Sequence, residues 1–194
     1  MAQVFRHTPH GYAARFEKAE FDLIRDLAED VIALLESPDS ENHDPLEALI
    51  GIVENPSIPD DPAVARVLPA GSSDPEAALE YRRYTEQDLR ATKVANLSLL
   101  AFDIEAGDIV LSDEHAHAWA SALNDIRLVL GSRLDIIDEE RMCFHPNTNE
   151  KTIFVATSKV ENDDDYLAVV YNFVTWVQDS LMVAMLDSME TPQS

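Results

Sequence analysis

Cys143 is the residue of this sequence best suited to redox chemistry, and it stands in the stretch ERMCFHP between Arg141 and His145. Alternate residues of an extended strand point to the same face, so this geometry would place the sulfur between two basic side chains. A nearby positive charge favours the thiolate, which is the form that oxidants attack. Cys143 is therefore a redox candidate, and the alternative is a buried and inert thiol.

Motifs for metal binding and catalysis are weak in the sequence. His115 and His117 form an HxH pair, but two residues apart on a helix is a turn of about 200°, which points the rings to nearly opposite sides. A single cysteine excludes an internal disulfide and a CxxC metal or redox motif. The five glycines form no phosphate-binding loop. We predict no metal, no cofactor and no enzymatic activity, with an enzyme of unrecognised type as an alternative.

A polar group interrupts an otherwise apolar helix in the stretch WASALNDIRLVLGSRLDI, residues 119–136. The apolar stripe of this helix recurs at spacings of three and four and comprises Trp119, Leu123, Ile126, Leu130 and Leu134. Asn124, Asp125 and Arg127 stand beside it, and a half-buried arginine needs acceptors from another segment. Gly131 removes side-chain bulk where a second helix can cross. We favour a packing contact that fixes helix register over a partner-binding site.

The elements that position these residues are predicted to be mostly helical. Two extended runs around HTPHG indicate a hairpin over residues 3–16, and a second hairpin is predicted over 141–157. The helical body covers 17–136, and a last helix covers 163–189. The first three predicted helices of the body cover 19–36, 45–52 and 62–67. Three more follow: one begins at 75, one runs from 86 to before Gly107, and one runs from 113 to about 135.

Helix starts carry a shared chemical pattern. Aspartate followed by proline occurs at Asp44, Asp61 and Asp74, where the carboxylate accepts backbone N–H groups and proline lacks the donor that would go unpaired. Thr85 with Asp88 resembles a variant capping box and predicts a separate helix start. The prediction is one domain, 1–194, of the α+β class, with about six helices and a small antiparallel sheet built from both hairpins.

The last helix is apolar nearly all round, which is typical of a central helix or of an oligomer interface such as a homodimer. The sequence has a formal net charge of −23, from 37 acidic and 14 basic residues. This charge disfavours direct binding of nucleic acid and of anionic membrane surfaces, and it leaves a basic protein partner open. High acidity can also serve solubility alone. No apolar run reaches about 18 residues and no signal peptide is evident, so a cytoplasmic location is expected.

Two of these helices also carry a family likeness. WASALNDIRLVLGSRLDI resembles the signature helix of an actinobacterial family with an uncharacterised domain, written W…LNDxRLxLGxRL. The signature residues in this helix include Trp119, Leu123, Gly131 and Arg133. VVYNFVTWVQDSLMVAML is similar to the second landmark of that family through Tyr171, Trp176 and Gln178, and residues 61–69 and 81–97 match its middle portion.

The resemblance implies a regulatory function for the chain. Most members of the family have no assigned activity, and one branch regulates transcription under oxidative stress by binding a stress sigma factor of RNA polymerase. That branch senses oxidants with a cysteine pair, whereas Cys143 stands alone here, so an intramolecular switch is not implied. We expect a non-enzymatic regulatory protein with a sigma factor or RNA polymerase as partner. The alternatives are a structural or adaptor protein without a transcription role and the unrecognised enzyme.

Overall fold

A short antiparallel sheet opens the chain. The computed structural model describes residues 3–36, 57–105, 108–134 and 163–190. Strand β1 spans Gln3–Thr8 and pairs with β2, which spans Gly11–Arg15, so the hairpin predicted over 3–16 is present. Gly11 has φ of 121°, and a Cβ atom there would collide with the carbonyl oxygen of Leu111. Only glycine fits this turn.

A third strand, β3, spans Asp108–Leu111 and pairs antiparallel with β2, with Tyr12 opposite Leu111. The strand order is therefore β1-β2-β3. Strand β3 is not among the elements predicted from the sequence, because four residues are too few to show the two-residue alternation of a strand. The second hairpin, predicted over 141–157, lies outside the described residues, as do the helix predicted over 45–52 and its Asp44 cap.

Five helices lie in the part of the chain that the structure describes. Their bounds are α1 Lys18–Leu35, α2 Pro62–Val67, α3 Pro75–Ile104, α4 Asp113–Arg133 and α5 Asp163–Glu190. The predicted caps are present, since Asp61 accepts from the N–H of Ala63 and Asp74 from that of Glu76. Together with the sheet they give the mostly helical α+β class that the sequence predicts.

The helix start predicted at Thr85 is wrong, because α3 continues through it without a break. The Thr85 hydroxyl donates to the carbonyl of Tyr81 at 2.8 Å, one turn back in the same helix. A threonine can make this bond as readily as it can cap, so its type alone does not mark a boundary. Glu86 also bridges Arg82 and Arg90, each four residues away, which supports an unbroken helix across this point.

Helix α4 lies in the middle of the core. It packs against α2, α3 and α5, while α1 packs mainly against α3. Its apolar stripe is fully buried at Trp119, Leu123 and Ile126. The ring of Phe5 from β1 meets Trp119 edge to face, with 5.7 Å between the ring centroids. The sheet is thereby packed onto the same core, and the two signature helices lie side by side within it.

Candidate functional site

Arg127 connects the two signature helices. Its Nη1 donates to Oε1 of Gln178 at 2.8 Å, and its Nη2 donates a longer bond of 3.4 Å to the Tyr171 hydroxyl. Its Cζ lies 5.5 Å from the centroid of the Tyr171 ring, within reach of a cation–π interaction. Gln178 is buried, and its Nε2 donates to the carbonyl of Ala120 at 3.1 Å. The Gln178 amide thus bonds to α4 at two points.

Sequence spacing explains how these groups meet. Tyr171 and Gln178 are seven residues apart, as are Ala120 and Arg127, so each pair occupies one side of its helix over two turns. Gly131 follows Arg127 by one turn. A Cβ atom at Gly131 would lie 3.6 Å from Cε2 of Tyr171, which is ordinary contact distance. The bonds of Arg127 and Gln178 therefore run directly between α4 and α5.

Asp125 lies on a different side of α4 and contacts α3. Its side chain is buried, and its Oδ1 accepts from Nζ of Lys93 at 2.6 Å. Burial raises the pKa of Asp125 above its ordinary value, although the hydrogen bond and charge of Lys93 act in the opposite direction. Among the described residues, Oδ2 has no hydrogen-bond partner. Asn124 is exposed, so the structure does not bring Asn124, Asp125 and Arg127 together into one site.

Trp119 is tied to α3 by a residue that sequence reasoning missed. Its Nε1 donates to Oδ2 of Asp103 at 3.0 Å, and the same oxygen lies 2.8 Å from Nδ1 of His115. A buried tryptophan predicts an acceptor for its N–H, but no local pattern shows which distant carboxylate supplies it. The described residues contain no group of three or more histidine, cysteine or carboxylate side chains suited to a metal ion.

A cluster of charged side chains on α3, which sequence reasoning also missed, binds carbonyl groups at the ends of two helices. Glu86 accepts from Arg82 at 2.7 Å and from Arg90 at 2.6 Å. Arg82 also donates to the carbonyl of Leu68 at the end of α2, and Arg90 donates to that of Leu35 at the end of α1. Carbonyl groups at helix ends lack partners within the helix, and basic side chains satisfy them here. The cluster fixes α1 and α2 against α3.

The remaining predicted residues occupy separate places. Arg133 is exposed and donates to Asp61 at 2.7 Å, linking the end of α4 to the start of α2. Burial alone would raise the pKa of Asp61, but hydrogen bonds from Arg133 and from the N–H of Ala63 bring it below its ordinary value. Trp176 is half-buried and stacks on Phe173. Cys143 lies outside the described residues.

Two surface features stand out in the described part of the chain. An open depression of about 400 Å³ lies beside β3 and is lined by Phe102, Asp103, Glu105 and the four residues of the strand. The second is the outer face of α5, where large apolar side chains are exposed near its end. By length and composition alone, Tyr166–Met189 could also span a membrane, but core helices of soluble proteins meet the same criterion.

Comparison with known proteins identifies a family and curated relatives. The family model described as a domain of unknown function, DUF2017, matches residues 1–185. The oxidative stress regulators AosR of Mycobacterium tuberculosis and of Mycobacterium bovis are 33% identical over 136 residues. That match covers 60% of this chain and 62% of each relative. No solved structure matches the chain. Because the family model covers nearly the whole sequence, the chain belongs to the DUF2017 family.

Proposed function

We propose that this protein is a non-enzymatic regulator of transcription under oxidative stress, and that it acts by binding a sigma factor or RNA polymerase. The observation that carries the proposal is the 33% identity to the AosR oxidative stress regulators over 136 residues. This distant homology supports a regulatory role. Since the match spans 62% of the relatives' length, the partner and the mode of action are proposals for this chain.

The charge of the chain supports a protein partner over nucleic acid. A net charge of −23 repels phosphate, while proteins that grip DNA or RNA use clustered lysine and arginine. The same charge attracts a partner with a basic surface and accelerates their encounter. A role in transcription would then be exerted through the polymerase machinery, in the cytoplasm, without direct contact to DNA.

The polar side chains of the core support binding over catalysis. Arg127, Asp125 and Asp103 each bond to protein groups on a neighbouring helix, and these bonds hold the helices together. Asp61 and Asp125 are the two carboxyl groups of the candidate site with shifted pKa values. Asp61 pairs with Arg133 and Asp125 with Lys93, at separate places in the fold. A catalytic site would instead bring such groups into one cleft.

The proposal is tested by affinity capture with the tagged full chain from a mycobacterial lysate, run under reducing conditions and after mild peroxide. Bound proteins are identified by mass spectrometry, and Cys143→Ser is the matched variant. Recovery of a sigma factor or polymerase subunits is the expected result. If peroxide changes that recovery in the wild type and leaves it unchanged in Cys143→Ser, the lone thiol is the sensor.

Two other outcomes are informative. Polymerase binding that is unchanged by peroxide and by Cys143→Ser would support the regulatory function and contradict a sensor role for Cys143. Capture of specific proteins unrelated to transcription would favour the structural or adaptor alternative, and capture of none would contradict regulation through a protein partner.

A further inference from the structure

The C-terminal half of α5 exposes several large apolar side chains. Its members are Met182, Val183, Leu186 and Met189, named here the Met182 face, with exposed fractions of 42%, 56%, 58% and 83%. Met182, Leu186 and Met189 follow one another at spacings of four and three, so they lie on one side of the helix. Single exposed apolar residues are ordinary, but a clustered set on one helix face marks an interaction surface.

The helix segment that carries this face is held firmly on its other side. Leu181 and Ala184 are buried in the core. The Ser188 hydroxyl lies 2.9 Å from that of Tyr12, and the Phe5 N–H donates to the Ser180 hydroxyl at 3.4 Å. The last turns of α5 are therefore attached to β1 and β2, and the Met182 face is presented on a fixed helix. A preformed surface reduces the conformational entropy that this chain loses on binding.

The charges around the face select the kind of partner. Asp179 is exposed one turn before Met182, and Asp187 is exposed one turn after Val183. The helix contains no lysine or arginine from 163 to 190. A second copy of this chain would bring the same acidic side chains, with a net charge of −23, against each other. A partner with lysine or arginine beside its apolar residues would instead be attracted.

We propose that the Met182 face binds a basic amphipathic helix of a partner protein. The inference rests on the proposed protein-binding function and adds its surface and the chemistry of its partner. Apolar side chains of the partner, at spacings of three and four, pack against Leu186 and the two methionines, which are flexible enough to fit irregular shapes. A flanking lysine or arginine side chain of the partner pairs with Asp179.

The probe for this proposal is a fluorescein-labelled synthetic peptide of about 18 residues, long enough for a stable helix, with leucine and lysine on opposite helical faces. Its binding to the full chain is measured by fluorescence anisotropy. Met182→Gln with Leu186→Gln removes the apolar contact and keeps the net charge. Phe102→Gln with Val110→Gln, two exposed apolar positions on another surface, is the matched control, and circular dichroism verifies that each variant is folded.

We expect the Met182→Gln, Leu186→Gln variant to bind the peptide at least about tenfold more weakly, because the central apolar contacts dominate such interfaces. The control variant should bind within about twofold of the wild type, which is the change expected at positions outside an interface. Asp179→Asn should weaken binding and reduce its dependence on salt. Equal weakening in the control variant, or no effect of the Met182 and Leu186 changes, would overturn the proposal.

Failure of this inference and of the proposed function can be told apart. If the Met182→Gln, Leu186→Gln variant still captures polymerase or a sigma factor, the proposed regulatory function is supported and the Met182 face is not the surface that binds them. If the peptide binds at this face but no transcription protein is captured, the binding surface is supported and the proposed role in transcription is contradicted. A wild-type dimer in sedimentation velocity that the same variant abolishes would assign the face to a second copy of the chain and contradict the proposal.

Discussion

Arg127 of α4 and Gln178 of α5 are 51 positions apart in sequence, and their side chains meet at 2.8 Å in the core. The other end of the Gln178 amide donates to the carbonyl of Ala120, two turns before Arg127 on the same helix. Both polar atoms of one glutamine are therefore used to align α5 along α4. This arrangement explains why a helix with an apolar face keeps an arginine and a glutamine at the interface.

Gln178→Leu should destabilise the protein, because it leaves Nη1 of Arg127 and the carbonyl of Ala120 without these partners. We expect the free energy of unfolding in urea to fall by about 1–3 kcal/mol. The double variant with Arg127→Met should lose less than the sum of the two single changes, since the pair acts as a unit. Asn124→Ala, on the exposed side of α4, is the control, and an equal loss there would contradict this account.

Lys93→Met should be more harmful than the loss of a surface ion pair. It leaves the Asp125 carboxylate buried without its cation, which costs about 3–5 kcal/mol for a broken buried pair. Adding Asp125→Leu should restore most of the lost stability, because no buried charge remains. The comparison is Lys18→Met, which breaks the exposed Lys18–Asp22 pair and should leave the urea midpoint unchanged. Equal effects of the two lysine changes would refute the assignment.

The raised pKa of Asp125 predicts a pH dependence of stability. Burial raises this pKa in the folded state above the unfolded value of about 3.9, so the folded protein binds more protons between the two values. The contribution of Asp125 is therefore most favourable at low pH and is lost as the pH rises through the folded pKa. Urea unfolding from about pH 4 to pH 7 should show wild-type stability falling relative to Asp125→Asn. A wild-type stability that rises relative to that of Asp125→Asn as the pH increases would contradict this sign.

Glu86→Ala should loosen the attachment of α1 and α2 to α3. Arg82, only 4% exposed, would lose its carboxylate and keep a single bond to the carbonyl of Leu68. We expect a loss of about 2–4 kcal/mol in the free energy of unfolding, as for one half of a buried ion pair. Glu80→Ala, exposed on the same helix, is the control and should be nearly neutral, within about 0.5 kcal/mol. Similar losses in both variants would exclude a special role for the Arg82–Glu86–Arg90 cluster.

Gly131→Ala should be tolerated. The added Cβ would lie 3.6 Å from Tyr171 and from Nη1 of Arg66, which is ordinary contact, and alanine favours the helix by about 1 kcal/mol over glycine. We therefore expect an unchanged or slightly higher melting temperature. Gly131→Leu should be destabilising, because the longer side chain would meet the Tyr171 ring. A marked loss with alanine would show that α4 and α5 approach more closely here than the structure indicates.

Local signals in the sequence predicted local structure well. Asp61 and Asp74 each cap a helix that begins at the next residue, because capping depends on groups only two or three positions apart. The helix start predicted at Thr85 was wrong for a related reason. Its hydroxyl can cap a helix or bond to the carbonyl four residues back, and the residue type does not distinguish these two states.

Long-range partners were beyond sequence reasoning. The stretch from Trp119 to Arg133 indicates a buried helix that needs acceptors and a cation, yet it does not say that Asp103, Gln178 and Lys93 supply them. Which residues meet depends on how helices pack, and many pairs of carboxylates and cations satisfy the same local pattern. For the same reason Asn124 and Asp125, adjacent in sequence, diverge to solvent and to α3.

The most direct test of the regulator is the binding of the fluorescently labelled chain to purified mycobacterial RNA polymerase, with and without a stress sigma factor, followed by anisotropy. The proposed regulatory function predicts saturable binding that weakens as salt increases, because an acidic protein meets a basic surface. Absence of binding to the polymerase, the sigma factor and their complex up to about 10 μM, where even weak specific complexes form, would contradict it.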